Sequence, residues 1–276
     1  FPNFVIKTSV TKLLHGSCRK PHFKSGDALC QVDNLLQGEG FSVEQRPSML
    51  IMSGDQVYAD DVAGPTLVAI HQIIDMLGLF DESWLNESAE GFKVDNSQQL
   101  FDSPFCYYQR EKILPHDNVN NSATNIFFKA NKQPIFTSAN AKNHLVTFAE
   151  VMAMYLLVWS PELWSAVDLS LTKQKNIAEP HRQAYQEELV VINEFVSGLT
   201  QVRRAMAHLP NYMIFDDHDV TDDWNLTRGW EEAAYNNPFS KQILGNALMG
   251  YWLCQGWGNA PDKFTDLMAD APKHFT

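Results

Sequence analysis

No stretch of this 276-residue chain is apolar for long enough to cross a bilayer: the longest uncharged apolar run, Val151 to Trp159, falls far short of the roughly 20 residues a spanning helix needs. Positive charge is scarce as well. Against 33 Asp and Glu stand only 21 Lys and Arg, a formal charge of -12, so the field of the chain repels phosphate backbones and anionic lipid. Neither nucleic acid nor a membrane surface is expected as a preferred partner. Cysteine is sparse: Cys18, Cys30, Cys106 and Cys254 lie far apart with no C-x-x-C pair, too few for a disulfide scaffold. The first residues, FPNFVIKTSV, carry no basic segment followed by an apolar one, so no secretory signal or mitochondrial presequence is read. The missing initial Met suggests a processed or truncated chain. A cytoplasmic location is the expectation, with export the alternative where an N-terminal segment is missing. Repeats, charge blocks and low-complexity linkers are absent too, and 45% hydrophobic residues are ample for a core, so residues 1–276 are expected to form a single domain.

What is there reads as an α/β chain. Phe4 to Val10 alternates with the period of a strand and leads into a polar turn, His15 to His22. Helical spacing follows over Asp27 to Gln37, stopped by Gly38 and Gly40. Ser48 to Ser53 is too brief for a helix but suits a buried strand, and Val62 to Leu79 resumes the helical period after Gly64-Pro65. Residues 81–142 show no sustained period and read as a long irregular excursion. Two strong helices are expected at His144 to Trp159 and about Glu179 to Ala207, as a helical insertion packed on the sheet. Asn211 to Phe215 reads as a further buried strand, and a last helix spans about Ser240 to Cys254.

Three polar clusters each follow an expected strand: HGSCR, SGDQVYADD and DDHDVTDD. In a parallel sheet the carboxyl ends of the strands share one edge, so these segments should converge. Convergence would assemble Cys18, Arg19, Asp55, Tyr58, Asp60, Asp61, Asp216, Asp217, His218, Asp219, Asp222 and Asp223. So many carboxylates at one edge are costly unless cations neutralise them, which points to a metal site. Cys18 sits among polar and cationic residues, a setting that favours thiolate. His218, between carboxylates directly after a buried strand, suits a ligand or an acid/base group. The blander alternatives are that Asp60 and Asp61 cap the next helix and that Asp222-Asp223 is a solvated face.

Other chemistries fail on inspection. An EF-hand starting at Asp217 would put Asp222 where Gly is needed and Arg228 where the closing Glu belongs. No G-x-S-x-G elbow, dinucleotide-binding turn or P-loop occurs, and a C-x5-R phosphate cradle starting at Cys18 would meet Lys24 instead of Arg. The remaining histidines, His15, His22, His71, His116, His181, His208 and His274, show no ligand spacing. Asn143-His144 is similar to the Asn-His pair of calcineurin-like phosphoesterases but lacks the preceding Gly, and Asn143 reads as the N-cap of the following helix.

At HGSCR (His15 to Arg19), GDQVY (Gly54 to Tyr58) and FDDHDVTDDW (Phe215 to Trp224) the chain resembles the alkaline phosphatase D-like metallophosphatases: a Cys-bearing loop, a GD-x-x-Y motif and a DDHE-type motif in the family's order across about 210 residues. The resemblance implies a metallophosphatase-like sheet layered with helices and a site holding Fe(3+) with Ca(2+) or another divalent metal. Carried over by position, it implies Cys18, Asp55 and Tyr58 as ligands of the first metal, with Asp55 bridging to the second. The second metal would take Asp217 or Asp222. His218 would act as hydrogen-bond donor or general acid, and Arg19 would clamp phosphate oxygens. The family's late GD-x-H-type motif has no counterpart after Trp224, and His274 stands alone. The resemblance therefore covers the N-terminal part of that catalytic domain, which implies an incomplete domain with apolar surface exposed and a tendency to homo-oligomerise. The expected activity is metal-dependent hydrolysis of a small phosphate monoester or diester by a metal-activated water. The alternatives are a catalytically inactive scaffold or binding protein of the same fold and, third, a simple calcium-binding protein using the acid run.

Overall fold

The computed structural model of the chain describes residues 1–38, 42–84, 93–117, 133–136 and 141–270. Its organising element is a sheet of three parallel strands in the order β1-β2-β3, with β1 at Leu14–Gly16, β2 at Leu50–Ser53 and β3 at Asn211–Ile214. The register pairs Gly16 with Met52 and Met52 with Met213, and so aligns the carboxyl ends of all three strands along one edge. The apolar run SMLIMS is central because both its neighbours supply ladder partners. Period-2 alternation then sends Leu50, Met52 and Met213 to one buried face. His15, Ser53, Tyr212 and Ile214 lie on the other face, where Tyr212 and Ile214 remain 43% and 54% exposed.

Helices cover the buried face. Helix α1 (Ala28–Gly38) connects β1 to β2. Between β2 and β3 come α2 (Gly64–Leu77), the short α3 (Ser97–Asp102), α4 (Phe148–Val158) and α5 (Arg182–Met206). Leu67, Ile70 and Ile73 of α2, Leu157 of α4 and Leu199 of α5 join Leu50 and Met52 in one apolar cluster, all of them almost wholly buried. Helix α5 is tied to α1 by Arg204, whose Nε and Nη2 lie 2.7 and 2.5 Å from the two carboxylate oxygens of Asp33. After β3 follow α6 (Arg228–Asn236) and α7 (Pro238–Tyr251), which build a second apolar cluster with described parts of the long excursion, including Trp84, Leu100 and Ile113. Helices α4 and α7 approach closely at Gly250, where a Cβ would meet Val151 Cγ1 at 2.4 Å.

The expected helical insertion between the second and third strands is therefore present. Four details differ from the sequence reading. Phe4 to Val10 forms no strand: Phe4, Ile6 and Val10 are exposed, and the ladder begins only at Leu14. Alternation without an adjacent strand to pair with does not make a sheet. Helix α4 starts at Phe148, not His144, because Thr147 and Glu150 form a reciprocal capping box. Helix α6 was not anticipated, since Ala234 is its single buried residue and its apolar stripe is thin. Helix α7, the last one expected, continues beyond Tyr251 as a π-turn over Trp252–Gly256, and a further short helix follows at Thr265–Asp270. His274 and much of the 81–142 excursion lie outside the described residues. The described part is a mixed α/β arrangement, and no helix in it is long and apolar enough to cross a membrane.

Candidate metal centre

The three strand-end loops meet. Leaving β2, the chain turns at Gly54, where a Cβ would lie 2.8 Å from Cys18 N and 2.9 Å from Cys18 Sγ, so only glycine lets the β1 and β2 loops touch. The contact is fixed by Arg19 N donating to the Asp55 carbonyl at 2.7 Å and Gly54 N donating to the Ile214 carbonyl at 3.0 Å. Gln56, wholly buried, donates its side-chain amide to the carbonyls of Ser17, Gly54 and Asp55.

The third loop clamps the second. One carboxylate oxygen of Asp219 accepts the backbone N–H groups of Gln56, Val57 and Tyr58 at 2.8, 2.7 and 3.1 Å. This holds Tyr58 in a left-handed conformation, φ 51°, that a tyrosine seldom adopts unaided. Burial pushes the Asp219 carboxyl up to about 7, the amide donors pulling against it and the nearby Asp55 adding to it. Its other oxygen receives the side-chain amide of Gln255 at 3.3 Å, and that residue is turned inward by the π-turn and also meets the Tyr155 hydroxyl at 3.0 Å.

At the shared rim, single ligand atoms of Cys18, Asp55 and Asp216 all lie within 4.8 Å of one another. Asp55 is 1% exposed, whereas Cys18 and Asp216 face solvent. Burial raises the Asp55 carboxyl above its usual range, and the carboxylate of Asp216 adds to the rise. The Tyr58 phenol is raised for the same reason, burial first and then the negative charge of Asp55. A second set, Asp217, Asp222 and Asp223, likewise converges within 4.8 Å. Between the sets stands His218, its ring stacked on that of Tyr58 at 5.0 Å between centroids. Its Nδ1 lies 2.8 Å from Asp60 Oδ2, and its Nε2 lies 3.8 Å from Asp222 Oδ1. The hydrogen bond to Asp60 lifts the imidazole to about 9 against a partial desolvation penalty.

The donor chemistry fits cations. A thiol, two carboxylates and an adjacent phenol match a ferric or similar ion, and the all-oxygen set matches a hard divalent ion such as calcium. Two buried carboxyl groups, Asp55 and Asp219, are raised by lack of solvation, Asp55 further by the charge of Asp216 and Asp219 further by that of Asp55, and a cation would relieve that repulsion. The two sets share no residue.

Of the residues assigned from sequence, Cys18, Asp55, Tyr58, Asp217, His218 and Asp222 come together. Arg19 does not. Its guanidinium turns into the core, where Nε and Nη2 face Asp27 Oδ2 at 2.7 Å, Nη1 donates to the Val158 carbonyl at 2.6 Å, and Phe195 lies beneath it. Those commitments hold the guanidinium in the core, with Nη2 alone lacking a hydrogen-bond acceptor. The cation beside Tyr58 is Lys20 instead, with Nζ 5.5 Å from the ring centroid and paired with Asp61. Asp60 and Asp61 do not cap α2, whose N-cap residue is Ala63. Asp60 serves His218 and the Asp222 backbone N–H, while Asp61 serves Lys20 and His22. Asn143 is no cap either: it accepts from Tyr108 N at 2.7 Å and donates to the Val62 carbonyl at 2.9 Å, joining the excursion to the start of α2.

Asp216 and Asp219 belong to the set expected to converge but carry no role assigned from sequence, and Gln255 lies outside that set. Asp216 follows β3 directly, so position alone could have marked it as a ligand. The clamp of Asp219 and the support of Gln255 had no local signal, because both depend on groups far away in sequence. Searches against protein-family models, curated proteins and solved structures find no match to this chain.

Proposed function

We propose that this chain is a metal-dependent phosphoesterase of the alkaline phosphatase D-like kind, hydrolysing small phosphate monoesters or diesters. Fe(3+) would sit on Cys18, Asp55 and Tyr58, joined by Asp216, and Ca(2+) or another divalent ion on Asp217 and Asp222. The observation that carries this reading is the meeting of a thiol, a phenol, an imidazole and two sets of carboxylates from three separate strand ends. Structural ion-pair networks also gather charge, but they balance it. Here the carboxylates outnumber the cations that face them, which suits a site completed by bound metal.

When bound, such ions supply Lewis acidity towards a phosphoryl oxygen and a water acidified towards about pH 7. The chain's residues supply the rest. Asp60 accepts from Nδ1 of His218 and fixes the angle of the ring, which leaves Nε2 on the side of Asp222. Held as imidazolium near neutrality, His218 can donate a hydrogen bond to a phosphoryl oxygen and pass a proton to the departing alkoxide. Tyr58 stacks beneath the ring and limits its rotation. Asp219 keeps the backbone of residues 56–58 rigid, so the ligands of the second loop stay placed without rearrangement.

A catalytically silent scaffold is the competing reading, and the commitment of Arg19 to Asp27 and Val158 favours it, since that arginine offers no phosphate clamp. Turnover of p-nitrophenyl phosphate and its bis ester by the chain loaded with iron and calcium, beside Asp55→Ala, separates the two. Activity abolished in the variant supports the enzyme; equal signals in both proteins support the scaffold.

A further inference from the structure

A cavity of about 670 Å³ opens beside the metal-binding rim and runs under the sheet between β1 and α1. That volume lies within the range of sites that hold small organic molecules. Its lining is of two kinds: Cys18, Tyr58 and His218 belong to the metal-binding rim, while Leu29, Val32, Leu50, Met52 and Phe195 form an apolar floor. Leu29, Leu50, Met52 and Phe195 are each at most 9% exposed, so the floor is firm core, not a loose surface patch.

Most polar side chains along this cavity are engaged within the protein, the Ser25 hydroxyl and one N–H arm of Arg19, Nη2, being the exceptions. His15 Nε2 meets Ser53 Oγ at 2.6 Å, and Ser17 Oγ donates to the Ser53 carbonyl at 2.9 Å. Arg19 and Asp27 hold each other, Asp27 also accepts from Leu29 N, and Lys20 pairs with Asp61. A sugar or glycerol moiety placed here would lose water and find few partners, at a cost of about 1–3 kcal/mol for each unpaired hydroxyl. A hydrocarbon would lose nothing and cover the exposed edges of the floor.

We infer that the ester accepted at this site carries an apolar alcohol moiety, alkyl or aryl, which lies on the Leu29–Met52–Phe195 floor while its phosphate faces Cys18, Tyr58 and His218. The inference rests on the phosphoesterase reading and narrows it to a substrate class. Continuity of the cavity with the rim selects this occupant, because a group bonded to the phosphate has this apolar space directly beside it. Each methylene that becomes buried should strengthen binding by up to about fourfold.

The test is a straight-chain series from methyl to octyl phosphate, used below micelle-forming concentrations, with glycerol phosphate as the polar control. The alcohols of the series differ little in acidity, so the chemical step stays nearly constant and kcat/KM reports the chain. A rise of about two- to fourfold per methylene over several carbons, with glycerol phosphate well below hexyl phosphate, is expected. A flat series, or glycerol phosphate equal to hexyl phosphate, overturns the inference while leaving the phosphoesterase intact. Calorimetric binding of methyl- and octylphosphonate to the metal-loaded protein gives a readout free of turnover. Tighter octylphosphonate binding without hydrolysis of any ester supports the apolar site and overturns the proposed activity instead. Two separate variants narrow the cavity from α1, Val32→Phe and Ala28→Leu. Either should flatten the chain-length dependence, and Ala28→Leu, outside the floor, should also spare methyl phosphate turnover; an unchanged slope in both folded variants counts against the floor as the binding surface.

Discussion

Nδ1 of His218 lies 2.8 Å from Oδ2 of Asp60, a carboxylate with no solvent exposure that also receives the backbone N–H of Asp222. This pairing sets both the direction of the ring and its charge, since the hydrogen bond to Asp60 raises the imidazole to about 9. A histidine in an unfolded chain titrates near about 6.5. The stabilisation from its extra proton affinity is therefore fully present below that value and disappears as pH rises through about 9. In Asp60→Asn the carboxylate charge is removed, and the His218 pKa should fall back towards about 6.5. NMR titration of the His218 ring in metal-free protein checks this, and an unchanged titration would show that Asp60 is not the cause.

Asp219 is expected to be the costliest single carboxylate to remove from the strand-end loops. Its truncation in Asp219→Ala leaves three buried amide donors without their acceptor, a loss of about 3–5 kcal/mol in urea unfolding. Asp219→Asn keeps an acceptor of the same shape and should recover most of that loss. Equal destabilisation in the two variants would contradict the clamp.

Glu150 anchors a second buried network. Its Oε1 lies 2.6 Å from Arg110 Nη2 and 2.8 Å from His71 Nε2, and its other oxygen accepts from Val146 N and Thr147 N. Burial alone would raise this carboxyl, but Arg110 and His71 prevail and hold it far below the usual range. Its contribution is present above the unfolded value of about 4.3 and is lost as pH falls below it. Glu150→Ala strands a fully buried guanidinium and should cost about 3–5 kcal/mol. Thermal unfolding from pH 7 down to pH 3 should show a steep acid loss in the parent chain and a shallower one in the variant.

Gly54→Ala tests the contact of the first two loops. The new Cβ would meet Cys18 N and Sγ at under 3 Å, so the loops must separate and the Cys18–Asp55 pair must open. A drop in metal affinity of at least tenfold with only about 1–3 kcal/mol of lost stability is the expected combination. Unchanged metal affinity would mean that the loops do not need to touch.

Much of this arrangement was legible in the residue order. Strands at Leu50–Ser53 and Asn211–Ile214 betray themselves as short apolar runs ending in Asp-rich segments, and parallel strands align such endings at one edge. What the side chains then do was less legible. Arg19 stands next to Cys18, yet its guanidinium is captured by the Val158 carbonyl at the end of α4, 139 residues away. Asp60 looks like a helix cap because Gly64-Pro65 follows, but it is taken by His218, 158 residues on. Asn143 precedes a helix, and Tyr108 and Val62 claim both ends of its amide. In each case local propensity lost to a partner brought near only by the tertiary fold.

The most direct measurement is elemental analysis of the purified protein beside Cys18→Ser and Asp55→Ala, each first confirmed as folded by circular dichroism. The account expects iron in near-stoichiometric amount in the parent chain, lost or reduced at least tenfold in both variants and removable by chelation together with phosphatase activity. A folded parent chain that takes up no metal when iron and calcium are supplied, or that holds as much as its variants do, would contradict it.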